Sequence, residues 1–303
     1  MLTSKGRLKA MYPRLTRLYS ICRRINVRPI LILVWINLII FGLTLPGSES
    51  AFFDGYTHAL FDEHFTATWC PSCRSDEPNV MKTYDQMAGS FFVVSYHVSD
   101  EFSNPSGNSM ITQYQVRTIP YHVFDGGNLY RKGGIISMDL RAPGARPVHR
   151  VSLAVKKVIH GNTLEYQGSV QEMDGEKFVG FVQVYVTENK LRSEGIEWNF
   201  VFRAFGIKEP LDIGANAFGL FSGTWTIPSN VKVENVVIVA AVFDSSTVGN
   251  YGPFVVQAVD DSRSSQVIPE MKAPVQVVAL VLFLVTIVFF KRRRRTIGPE
   301  RVT

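Results

Sequence analysis

Thr68-Trp69-Cys70-Pro71-Ser72-Cys73 is the stretch on which the reading of this chain turns. Two thiols separated by two residues can close a disulfide within one turn of backbone. So small a loop does little for stability. The chain-entropy argument gives about 2 kcal/mol for it, against about 4.7 for a hundred-residue loop. A bond that staples so little is better explained as chemistry than as scaffolding. Residues 57–66 read as a strand and residues 71–87 as a helix. Cys70 then falls at the N-terminal end of that helix, where unpaired N–H groups and the helix dipole favour an anion. A thiolate is such an anion, whereas an ordinary thiol of pKa about 8.5 is only about 3 % ionised at neutral pH.

A C-x-x-C pair also serves as half of a zinc site. The chain holds three cysteines and no second C-x-x-C, so a zinc site built from four cysteines is excluded within it. The third, Cys22, lies in a basic stretch and reads as an inert thiol or as a palmitoylation site.

Several features together resemble the thioredoxin-like superfamily. Trp69 precedes the first cysteine, and Pro78 follows Cys73 by five residues, where that family often kinks its first helix. Val116-Arg117-Thr118-Ile119-Pro120 is similar to the segment ending in the family's cis-proline, 47 positions after Cys73. The strand Tyr121–Phe124 and the turn Asp125-Gly126-Gly127 follow it. The resemblance implies that Cys70 is the nucleophile and Cys73 the resolving thiol. It implies that Pro120 holds the preceding backbone beside Cys70, where an incoming peptide pairs as an added strand, and that Trp69 walls the site. His64 lies six residues before Cys70, where thioredoxins carry a buried acid that manages protons. A histidine there is a departure from the family. It either does similar work near neutral pH or is a hydrogen-bonded strand residue. His97 and His122 read as structural, or as copper ligands alongside the cysteines. Asp100, Glu101 and Asn104 fit no EF-hand spacing and read as a solvated loop.

On this basis residues 52–160 are expected to form an α/β thioredoxin-like domain. It contains a buried strand at 91–97, a short helix at 109–114, a further strand at 128–131 and a closing helix over 148–160. The closing helix rests on the spacing of Val151, Leu153, Ala154 and Val158. After His160-Gly161 the texture changes to short β runs parted by turns, of which Phe178–Val186 is the clearest. Residues 161–268 are therefore expected to form an all-β, Ig-like sandwich. Thr187-Glu188, Phe202-Arg203-Ala204 and Trp225-Thr226-Ile227-Pro228 resemble secreted outer-membrane-type proteins that join such a sandwich to a thioredoxin-like domain. Trp198 and Trp225 read as core.

Charge is concentrated at the ends. Residues 1–28 hold eight Lys/Arg and no acid, and residues 291–303 hold six Lys/Arg and one Glu. The ends thus carry +13 and residues 29–290 carry −7, so the overall +6 says nothing in favour of nucleic-acid binding. An apolar run over 30–46 reads as a signal peptide or signal-anchor helix. A second over 273–290, stopped by Lys291-Arg292-Arg293-Arg294-Arg295, reads as a transmembrane helix. The positive-inside rule then puts the basic segment 1–29 and the tail 291–303 in the cytoplasm, with about 51–272 on the outer side of a cell membrane, where disulfides persist. No phosphate-binding glycine loop and no internal repeat is present.

The function expected from these readings is a membrane-tethered, extracytoplasmic thiol-disulfide oxidoreductase that needs no cofactor. Its partners would be protein thiols and disulfides on the outer face, a redox partner protein and the membrane, with no nucleic acid. The competing readings are copper delivery by Cys70, Cys73 and a histidine, and a non-enzymatic surface receptor or assembly protein.

Overall fold

The computed structural model describes residues 55–264 apart from Asp139. Strand β1 (Leu60–Thr66) leads into helix α1 (Pro71–Gln86), then β2 (Phe91–His97), α2 (Pro105–Gln113), β3 (Tyr121–Phe124) and β4 (Leu129–Lys132). A short helix α3 (Arg141–Gly144) precedes a run of strands: β5 (Val151–His160), β6 (Thr163–Glu172), β7 (Phe178–Glu188), β8 (Leu191–Ser193) and β9 (Ile196–Trp198). The last are β10 (Val201–Ile213), β11 (Phe218–Thr226), β12 (Val236–Gly249) and β13 (Gly252–Asp260).

Strands from before and after residue 160 share one eight-stranded mixed sheet, in the order β13-β12-β7-β10-β2-β1-β3-β4. β1 runs parallel to β2 and antiparallel to β3. The seam is the parallel pairing of β10 with β2, where Val201 lies opposite Ser95 and the Ser95 N–H donates to the Phe200 carbonyl at 2.8 Å. On the far side of the seam β7 pairs antiparallel with both β10 and β12. A second, three-stranded sheet has the order β11-β6-β5, and β8 and β9 form a separate hairpin.

This architecture corrects the expected fold class. The chain does not form an α/β thioredoxin-like unit followed by a separate Ig-like sandwich. The described residues form thirteen strands and three α-helices, and the main sheet runs continuously through both expected parts. The physical reason is visible in β7 and β12. Residues such as Val182, Val184, Val186, Ile238, Val239 and Ala240 are buried, so these strands need cover on both faces and extend the first sheet.

The closing helix expected over 148–160 is instead strand β5. Val151, Leu153 and Val155 alternate on one buried face, and all ten residues of β5 pair in register with β6. The turn between them is Gly161-Asn162, with Gly161 at φ 60°, the conformation a two-residue hairpin demands at its first central position.

The expected membrane placement is corrected too. Among the described residues no helix is long and apolar enough to cross a membrane. The runs 30–46 and 273–290, both basic ends and Cys22 lie outside the described residues.

Candidate active site and the polar layer beneath it

Cys70 is the N-cap of α1, with φ −88° and ψ 113°, and Pro71 occupies the first helical position, where its missing N–H costs nothing. The Cys73 N–H donates to the Cys70 Sγ at 3.2 Å, and the Ser72 hydroxyl lies 3.2 Å from the same sulfur. Cys70 and Cys73 form a disulfide with Cα atoms 5.2 Å apart. Cys70 is 5 % exposed and Cys73 0 %, so only the first sulfur can be approached from outside. The Ile119 carbonyl lies 3.9 Å from the Cys70 Sγ, and the Ile119–Pro120 peptide bond is cis. Trp69 is 55 % exposed beside the pair, its indole N–H donating to the Val98 carbonyl at 3.0 Å. Ala67, Trp198 and Val201 pack behind the two cysteines, with Phe102 and Ile119 at the margin. Thus Trp69, Cys70, Cys73 and the segment before Pro120 meet at one point.

The turn carrying Trp69 is clamped by the loop after β2. Asp100 accepts from the Thr68 N–H at 2.8 Å, the Phe102 N–H at 3.0 Å and the His97 ring at 2.7 Å. Burial would raise the Asp100 carboxyl, but the bonds from His97 and these N–H groups hold it below the usual range. Glu101 accepts from the Thr68 and Ser193 hydroxyls. Asn104 caps α2 by accepting from the Gly107 N–H at 2.9 Å, so that helix begins at Pro105 and not at the expected Ser109. The acidic loop is therefore a bracket whose oxygens are already occupied.

His64 sits in a different setting from the dithiol. Beneath α1, one face of β1 presents Asp62, His64 and Thr66, and β3 presents His122 opposite His64. Asp76 and Glu77 come down from α1, and all six side chains are buried. The His64 and His122 rings stack with centroids 4.5 Å apart and planes 5° from parallel. His122 is gripped at both nitrogens, by Asp62 at 2.7 Å and by Asp76 at 3.0 Å. Burial would lower its pKa, but the two carboxylates raise it to about 9. Asp62 is raised by burial despite His122. Burial pushes His64 well below the ordinary range, with the charges of His122 and His97 acting the same way. Its Nε2 lies 3.5 Å from the Asp76 Oδ2, yet neither ring nitrogen has a hydrogen-bond partner. Thr66 Oγ1, Asp62 Oδ1, Glu77 Oε2 and His97 Nε2 are likewise buried and unpartnered. Six of the seven such atoms among the described residues thus belong to β1, β2 and α1, the exception being Arg146 Nε.

Asp76 and Asp62 were not singled out from the sequence. The available signal was the spacing of Cys73, Asp76, Glu77 and Val80 at i, i+3, i+4 and i+7, one face of a helix.

No family model and no curated protein matches the chain. Among solved structures, a structural-genomics target from Agrobacterium tumefaciens is similar over 67 % of this chain and 94 % of its own, at 14 % identity and TM-score 0.44. The sporulation control protein Spo0M of Bacillus subtilis is similar over 38 % of this chain and 48 % of its own, at 9 % identity and TM-score 0.28. Bacteroides uniformis β-glucuronidase 2 is similar over 36 % of this chain and 12 % of its own, at 12 % identity and TM-score 0.26. At these scores the likenesses carry no argument. The expected thioredoxin-like membership is corrected by the fold itself, a mostly-β chain built on a mixed eight-stranded sheet, with no family model matching.

Proposed function

We propose that this chain exchanges thiols and disulfides through Cys70 and Cys73. One observation carries the reading: the Cys70 sulfur sits at the start of α1, accepts the Cys73 N–H, and is slightly exposed while its partner is sealed. That arrangement stabilises negative charge on Cys70 and directs attack to it. A client thiolate attacks the Cys70 Sγ, the Cys70–Cys73 bond breaks, and Cys73 leaves as a thiolate. A second client thiolate then attacks the client sulfur of the mixed disulfide and Cys70 leaves. The client loses two electrons and the chain gains them. Run backwards, reduced Cys70 attacks a client disulfide and Cys73 resolves the intermediate. Partners are protein thiols and disulfides, and no cofactor takes part.

The test is exchange between the oxidised full chain and dithiothreitol, followed by electron transfer to a peptide disulfide. The wild type should complete both half-reactions. Cys70→Ser should fall to the uncatalysed background, and Cys73→Ser should accumulate a mixed disulfide on Cys70 that mass spectrometry detects. Exchange that persists in Cys70→Ser with its fold intact would eliminate the proposal.

A further inference from the structure

The polar layer under α1 is not used by the exchange chemistry proposed above, and its geometry calls for an occupant. We propose that His64, His122 and Asp76 bind a divalent first-row transition ion of the zinc class.

Three observations converge. The Nε2 atoms of His64 and His122 approach the same oxygen, Asp76 Oδ2, at 3.5 and 3.0 Å, and the three ligand atoms lie within 4.8 Å of one another. Zinc holds nitrogen and oxygen ligands at about 2.0–2.2 Å, so the edges of a tetrahedral shell are about 3.3–3.5 Å long. The pairs that include Asp76 lie close to that length, and the parallel His64 and His122 rings turn toward a common point as the ion binds. Second, His64 is wholly buried with no hydrogen-bond partner on either nitrogen. Burying a polar ring without a partner carries a desolvation cost, which a bound ion would offset. Third, the supports typical of metal ligands are in place. Asp62 accepts from His122 Nδ1, which points Nε2 at the centre. The Ile135 N–H fixes Asp76 through Oδ1 at 2.7 Å, so that Oδ2 faces the two imidazoles. Gly134 permits that approach, since a Cβ there would lie 2.8 Å from Asp76 Oδ1. Two imidazoles and one carboxylate select zinc or its neighbours over calcium or magnesium.

The other cluster of this kind, His149, Glu172 and Asp174, lacks the same freedom. Glu172 already accepts the N–H groups of Asp174, Gly175 and Asn216 as well as His149.

The test uses the full chain with its disulfide intact, so that thiols cannot ligate, produced in zinc-supplemented medium and also refolded with equimolar zinc. The expected result is one zinc per chain by elemental analysis. Cobalt(II) in its place should give visible ligand-field bands without thiolate charge transfer. His64→Leu, which deletes a side chain holding no hydrogen bond, should keep the fold and lose the zinc. The Cys70→Ser/Cys73→Ser variant should keep it. His64→Asn, which keeps a polar side chain in place of the ring, gives a second arm, with zinc again lost. No zinc by either route would overturn the assignment. So would zinc retained in folded His64→Leu, which would place the ion elsewhere, or zinc lost with the cysteines. None of these results bears on exchange at Cys70, so the two proposals fail separately.

Discussion

The two faces of β1 solve the same problem differently. On one, Phe61 and Phe65 flank Glu63; on the other, Asp62, His64 and Thr66 follow one another. All of these side chains are buried. Glu63 is fully capped, with Tyr96 and Tyr114 donating a hydroxyl to each of its oxygens. Across the strand, His64, Thr66 and one oxygen of Asp62 have no hydrogen-bond partner. A buried polar group that is satisfied rigidifies a core, whereas one left open marks a place where something else binds or moves. The capped face reads as structure and the open face as function.

The largest break in this contrast is expected from His122→Leu. It strips Asp62 and Asp76 of their shared partner and leaves two carboxylates buried. Breaking such a network costs about 3–5 kcal/mol, readable from the urea midpoint of chelator-treated protein. His64→Leu in the same protein removes a ring that holds no hydrogen bond. It should stay within about 1.5 kcal/mol of the wild type, as volume-conserving core changes do. Equal losses in the two variants would dissolve the distinction between a gripped and an open histidine.

Tyr114→Phe probes the capped face. It leaves one Glu63 oxygen without its donor inside the core, and should cost about 1–3 kcal/mol by denaturant unfolding. A neutral outcome would mean that Glu63 is no better satisfied than His64.

A smaller effect is expected at Glu172, a capped carboxylate on β6 in the three-stranded sheet. Burial would raise its pKa, but the N–H groups of Asn216 and Asp174 and the His149 ring lower it to about 2. A carboxyl depressed in the folded state stabilises above its unfolded pKa of about 4.3, and the contribution fades as pH falls toward 2. Glu172→Gln should therefore flatten the decline in unfolding midpoint across that window. An unchanged slope would show that its caps do not bear on acid stability.

Much of the local structure was legible in the sequence. The cysteine pair, Pro71 and the strand-like stretch 57–66 before them place a strand, a cap and a helix, because these signals act within a few residues. The helix expected over 148–160 failed for an equally local reason. Val151, Leu153, Ala154 and Val158 suggest a helical face, but Val151, Leu153 and Val155 keep a period of two, and Gly161-Asn162 with Thr163–Glu172 beyond it is the arbiter. What could not be read was the joining of the two halves. The buried runs in β7 and β12 are equally at home in a sandwich or in a wide sheet, and the pairing of Val201 with Ser95 leaves no mark on either segment. The open histidine was visible as an oddity, but its neighbours Asp76 and His122 come from α1 and β3, distant in sequence.

That seam has a consequence for synthesis. Ser95 and Val201 are 106 positions apart, so β2 emerges from the ribosome long before the strand that covers its outer edge. Until β10 arrives, Phe91–His97 presents a bare row of amides and carbonyls, a template on which another chain can pair. A nascent chain stalled before residue 201 should therefore be the form most in need of a chaperone.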